Sequence, residues 1–226
     1  MDHLQTIVNS ICQELEAKHA ARELALQQSR EIIRQCANAI RATHRDEFDE
    51  VERLLAAARA AAAAMRQTVV SFPDLYYAGY IQDALKELSE AHITYALVTG
   101  GKVPSPADLH VEAPAYLNGL AEAVGELRRY VLDRLRRGDV STGERLLAAM
   151  DDIYALLTTV DYPEAITGGL RRNTDMVRGV LERTRGDLTT ATRQEEMKLA
   201  LLAFSQRIGL AGEETGSSYL AEADEV

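Results

Sequence analysis

The 226-residue chain contains no tryptophan, three phenylalanines and five prolines, and aromatic residues make up 5% of it. Strands draw on aromatic and β-branched side chains to cover their pleated faces, so this shortage speaks against a sheet protein. Proline and glycine are both missing ahead of Pro73, and nothing there interrupts a helix. Apolar runs long enough to cross a bilayer are lacking, and the N-terminus MDHLQTIVNSICQ has no basic segment followed by an apolar one. A soluble cytoplasmic protein is therefore expected.

Cysteine is nearly absent as well. Cys12 and Cys36 stand on one expected helix, roughly 36 Å apart at 1.5 Å per residue, too far to bridge within a chain. His3, His19, His44, His92 and His110 are scattered, and no cysteine–histidine spacing suits structural zinc. Basic charge is also in deficit: the formal net charge is -10. That excludes a protein that coats nucleic acid with its whole surface, but it leaves room for a local basic groove. Part of the acidity lies in GEETGSSYLAEADEV, Gly212–Val226, with five acidic side chains and no basic one. This composition predicts a disordered tail over 211–226, behind a single domain over 1–210.

What the chain does have is alanine, leucine and helical spacing, so the fold class expected is all-α. Leu4, Val8, Ile11, Leu15, Ile33, Cys36 and Ile40 recur at three and four residues and predict one very long first helix over about 4–43. The capping residues Thr43 to Asp46 precede a second helix over 47–70, whose alanine run suits close packing. A third helix is expected over 73–98, stopped by Gly100 and Gly101, and the longest loop follows it. A fourth runs over 113–137, and a fifth starts at a Ser141 or Thr142 cap and runs to about 159. A sixth runs from Asp161 or Pro163 to about 192, and a seventh over 193–208.

Two helices each carry a pair of glutamates one turn apart. KELSEAH holds Glu87 and Glu90, and LAEAVGELRR holds Glu122 and Glu126. Such pairs are commonly wet helix faces, with Lys86 set to pair with Glu90 and Glu126 with Arg129. On a helical wheel Glu122 and Glu126 lie about 150° from the apolar stripe, and Glu87 and Glu90 about 90° and 150° from theirs. Any site they form is expected to face water. Carboxylates in that number suit Mg2+, or Mn2+, whereas a di-iron bundle would need histidine where Ile93 stands, with His92 one place short. On the first helix Arg30, Arg34, Arg41 and Arg45 fall within about 60° of arc, either a face balanced by acids or a rail for phosphates. Arg171, Arg172, Arg178, Arg183 and Arg185 make a weaker, acid-interleaved candidate. Gly-rich phosphate loops, the GxSxG elbow and dinucleotide fingerprints are missing, and TGGK reads as a helix stop.

The order of these features resembles the translin family, in particular its translin-associated factor X branch. QELEAKH and SREI in the first helix, KELSEA, and APAYLNGLAEAVGELRRYVLDRLRRGDV carry the likeness, which extends from about Cys12 to Arg193. The resemblance implies a seven-helix subunit that assembles into a closed shell, usually an octamer, holding RNA inside. It also implies an endoribonuclease site, with Glu87, Glu90 and Glu126 on catalytic carboxylate positions and Glu122 where animal members have aspartate. The function expected is Mg2+-dependent cleavage of single-stranded RNA, with Glu87, Glu90, Glu122 and Glu126 as metal ligands and the four arginines on the backbone. The alternative is a non-catalytic binder of single-stranded RNA or DNA.

Overall fold

The structure, a computed structural model, describes residues 1–208. Among these there are helices and connections but no strands. Six helices are long: α1 (Asp2–His44), α2 (Phe48–Thr68), α4 (Gly79–Thr99), α6 (Ala113–Arg136), α7 (Val140–Leu157) and α9 (Leu170–Arg207). Between them stand three single turns, α3 (Pro73–Tyr76), α5 (Pro106–Leu109) and α8 (Glu164–Thr167). The all-α expectation holds, but the division into seven does not. The expected third helix splits at Tyr77 and Ala78, so α3 precedes α4. The expected break at Arg193 is absent. The interruption lies earlier, where Gly168 and Gly169 both take left-handed backbone (φ 60° and 88°), and α9 then runs unbroken for 38 residues. The expected tail over 211–226 lies outside the described residues.

The ends show what local chemistry decides. Gly100, at φ 73°, closes α4 as a left-handed cap. Asp139, rather than Ser141 or Thr142, caps α7 by accepting the Thr142 N–H at 3.0 Å. Between α1 and α2, Asp46 adopts φ 62°, which aspartate tolerates better than most residues. Its carboxylate accepts hydrogen bonds from Tyr130 Oη at 2.7 Å and from Arg134 and Arg137, so the corner is tied to α6.

Two apolar clusters flank the α4–α6 pair. Ile32 and Cys36 of α1, Leu54, Ala58, Ala62 and Met65 of α2, and Ile81, Leu85 and Leu88 of α4 form one. Val124, Leu127 and Val131 of α6, Met150 and Ile153 of α7, and Val177, Val180 and Leu181 of α9 form the other. Within the alanine run only Ala58 and Ala62 are fully covered, which fits one packed face. Among the described residues nothing covers the first turns of α1: Leu4, Val8, Ile11 and Leu15 are exposed although their spacing is that of a core stripe.

Candidate metal centre between α4 and α6

A missing side chain sets the geometry. A Cβ placed on Gly119 would lie 2.6 Å from the Lys86 carbonyl oxygen, 2.8 Å from Ser89 Cβ and 3.0 Å from the Glu90 nitrogen. Real Cβ atoms do not approach so closely, so α6 meets α4 there backbone to backbone. Glu122 stands one turn past Gly119, directly across from the turn of α4 that carries Glu87 and Glu90. One carboxylate oxygen from each of Glu87, Glu90 and Glu122 lies within 4.8 Å of the others.

Like charges at that spacing act on one another. Glu90 is 9% exposed. Burial, followed by repulsion from Glu87, Glu122 and Glu126, pushes its carboxyl up to about 8. Glu87 also titrates above its usual range; burial and Glu122 raise it, against the pull of Lys86. Lys86 supplies the cation, with Nζ 2.8 and 2.7 Å from the two Glu122 oxygens and 3.6 Å from Glu87 Oε1. Burial lowers the lysine's affinity for its proton, but the hydrogen bond to Glu122 and the surrounding acids outweigh it, so it stays charged. Beneath the cluster lies Cys36, fully buried, its thiol held protonated by burial and by Glu87 and Glu90.

Glu126, a turn beyond Glu122, stands apart from the three. Its Oε2 is 2.5 Å from His44 Nε2, on the buried end of α1, and 3.9 Å from Arg129. The His44 hydrogen bond holds this carboxyl below its ordinary range despite partial burial. His44 Nδ1 is buried without a partner among the described residues. His44 was not among the expected site residues, although its position four residues after Ile40 and eight after Cys36 placed it on the inward stripe of α1.

Two expectations are corrected. The site does not simply face water: Glu90 is buried because α1, α2 and α6 cover α4 on several sides, so the angle from one apolar stripe does not measure exposure. Lys86 reaches across to Glu122 instead of along its own helix to Glu90. His92 is committed elsewhere. Its Nε2 accepts a hydrogen bond from Arg59 at 2.8 Å while Nδ1 donates to the Leu88 carbonyl at 2.8 Å. Burial holds it neutral, down to about 4.

The four arginines are all exposed, three on α1 and Arg45 at its C-cap, but they do not form one unit. Arg34, Arg41 and Arg45 line a groove of about 370 Å³ with Arg53 of α2; Arg30 is not part of its lining. Arg53 was missed because it lies on another helix. Acids balance the groove: Arg34 pairs with Glu31 at 2.6 Å, Arg45 with Glu47 at 2.6 Å and Arg53 with Glu50 at 2.5 Å, while Arg41 donates to Asn38. A larger cavity of about 690 Å³ is lined by Tyr77, Asp83, Lys86, Asn118, Glu122 and Arg172 among others. Asn118 anchors it, donating to Pro114 and Thr167 carbonyls at 2.8 Å and accepting from Asn173 at 2.9 Å.

The donor set suits a hard divalent cation. Converging oxygens, no sulfur or imidazole among them, and a buried carboxyl that loses its proton only against its neighbours' repulsion are what Mg2+ or Mn2+ would relieve. None of the helices among the described residues is long and apolar enough to cross a membrane.

No protein-family model matches the chain. It is 32% identical over 212 residues to an uncharacterized protein of Methanocaldococcus jannaschii, a match that spans 91% of this chain and 92% of the relative. Among solved structures it is similar to AfC3PO, with 33% identity, a TM-score of 0.77, and coverage of 83% of this chain and 97% of the other. The same likeness holds for AfC3PO in complex with duplex RNA, at 34% identity and a TM-score of 0.73. NeC3PO without ligand shares the fold at 17% identity, with a TM-score of 0.75 over 81% of this chain and 96% of that one.

Proposed function

Because the chain belongs to the translin and C3PO family, we propose that it is a metal-dependent endoribonuclease whose site is the carboxylate cluster between α4 and α6. The observation that carries this reading is the convergence of Glu87, Glu90 and Glu122 oxygens within 4.8 Å with a single lysine to balance them. Structural ion pairs match charges one to one; this arrangement leaves an excess of anions beside a cavity. The catalytic subunit type, translin-associated factor X, is the branch that fits four acids in these places.

In this reading Glu87, Glu90 and Glu122 hold Mg2+, or Mn2+, and Glu126 completes the set from the next turn. The cation, when bound, supplies charge to the scissile phosphate and lowers the pKa of the attacking water. Glu126, kept ionised and fixed by His44, is placed to orient that water through its second oxygen. Arg34, Arg41 and Arg45, joined by Arg53 and preceded along the helix by Arg30, guide the sugar-phosphate backbone without reading bases. AfC3PO has been seen with duplex RNA, which supports an RNA ligand here. The preferred substrate is a single strand, because the carboxylates lie in a crevice where two helices nearly touch and a flexible strand reaches deeper than a rigid duplex. Assembly into a closed shell, an octamer in the family pattern, would place this acidic chain's site in a shared interior in the cytoplasm.

The test is cleavage of single-stranded and duplex RNA, and of single-stranded DNA, with Mg2+, Mn2+ or chelator, alongside the mass of the assembly. Metal-dependent product from single-stranded RNA, lost in Glu126→Ala with assembly intact, is the expected result. RNA retained but never cut under any metal would leave a nucleic-acid-binding shell, and a particle of 24.9 kDa would refute the shell itself.

A further inference from the structure

Lys86 faces two ways. Its ammonium holds both oxygens of Glu122 and approaches Glu87, the same oxygens that a divalent ion would claim. The same side chain lines the cavity of about 690 Å³, which Arg172 also lines. Its side chain is 23% exposed, and four methylenes let the ammonium swing without moving the helix. A lysine and a dication cannot share these carboxylate oxygens, because at such distances their repulsion in a partly buried site is strong. With a dication bound, the ammonium would have to leave these oxygens, and the cavity that Lys86 also lines would give it room.

The cavity alone does not attract anions, since Asp83, Glu112, Glu122 and Glu164 line it with the two cations. A phosphodiester anchored on one oxygen at the carboxylate site differs. Its remaining non-bridging oxygen would still carry charge for a nearby cation to neutralise. Lys86 joins the cluster to that edge.

We propose that Lys86 is a catalytic residue that exchanges partners, leaving Glu122 when a divalent cation enters and then binding a non-bridging oxygen of the scissile phosphodiester at the cavity mouth. This deepens the ribonuclease reading and rests on it. In the hydrolysis the water oxygen bonds to phosphorus as the bond to the leaving sugar oxygen breaks. The water gives up one proton to solvent, and the leaving oxygen gains one from solvent. Lys86 keeps its proton throughout and contributes charge where it builds up.

The experiment compares the full-length assembled protein with Lys86→Gln and Lys86→Arg. Mn2+ binding without RNA, followed by electron paramagnetic resonance, becomes several-fold tighter in Lys86→Gln because the competing ammonium is gone. At saturating Mn2+, single-turnover cleavage of a short single-stranded RNA falls on the order of 10²-fold in Lys86→Gln, and Lys86→Arg restores most of it. Unchanged or weaker Mn2+ binding in Lys86→Gln overturns the proposal, as does wild-type cleavage by that variant at saturating metal. Wild-type protein that binds Mn2+ but never cuts RNA refutes the ribonuclease reading, and the phosphate role of Lys86 falls with it. Tighter Mn2+ binding in Lys86→Gln would then leave the lysine as a metal competitor only.

Discussion

Glu90 and Arg41 are both ionisable, and each stands at helical spacing from others of its kind, yet the fold treats them in opposite ways. Glu90 is buried beside two like charges with one shared cation, and its proton affinity rises to about 8. Arg41 is exposed on a face where its neighbours Arg34 and Arg45 each have an acid within 2.6 Å. Packing energy is spent on holding the first arrangement together, while the second is an ordinary charged surface that a polyanion can reorganise. In the proposed function, specific chemistry would belong to the region under electrostatic tension, and loose, salt-sensitive binding to the relaxed one.

The sharpest way to break this contrast is Glu122→Gln, which keeps the shape and a hydrogen-bond acceptor for Lys86 but removes one clustered charge. Metal-dependent RNA cleavage is expected to fall on the order of 10²- to 10³-fold in a single-turnover assay. Retained cleavage would mean that the tension at α4 and α6 has no catalytic purpose.

Gly119→Ala attacks the crossing that creates the tension. On an open helix surface this change would stabilise the protein by about 0.5–1 kcal/mol, since alanine is the better helix former. Here the methyl meets the Lys86 carbonyl at 2.6 Å, a backbone atom that cannot rotate away. Overpacking dominates, and denaturant titration should show a net loss of about 1–3 kcal/mol together with weaker Mn2+ binding. A stabilised variant would show that the helices have slack.

Glu90→Gln separates burial from charge. In the metal-free protein the native state holds the Glu90 proton more tightly than the unfolded chain does, up to about 8 against an ordinary 4.5. The native state thus binds more protons across that window, so this group's stabilisation is complete below pH 4.5 and is lost as pH rises through 8. Thermal melts of wild type and Glu90→Gln should converge at low pH, part progressively as pH rises from 4.5 to about 8 and stay apart beyond it, with the variant the more stable. Added Mn2+ should reverse the order, because only the wild type gains a full ligand.

How much of this was legible beforehand depends on whether a feature is written within one helix or between two. The ends at Gly100 and Gly138, the length of α1 and the all-α class follow from local spacing and punctuation. The break expected at Arg193 is not there; α9 continues as one helix, and none of its residues beyond Leu188 is buried among the described residues. The glutamate pairs were visible as pairs, but their meeting was not, because it depends on Gly119 and on which face of α4 other helices cover. Only the likeness to translin proteins brought the four acids together in advance. His44 and Arg53 were missed for the same reason: each acts across a helix boundary that periodicity does not report.

The smallest effect is expected on the relaxed side. Arg41→Ala with Arg45→Ala removes two exposed groups of the groove shared with Arg53, and folding stability should stay within about 0.5 kcal/mol, as for most surface changes. Single-stranded RNA affinity should drop a few-fold at low salt. The more telling readout is the slope of log affinity against log salt, which should flatten by about 0.7 for each phosphate that the variant no longer neutralises. If these arginines position the backbone and do not touch the reacting atoms, as proposed, the cleavage rate at saturating RNA should be unchanged. If the rate instead falls with the slope constant, the arginines belong with the carboxylates, and the division between a strained chemical region and a relaxed binding region is wrong.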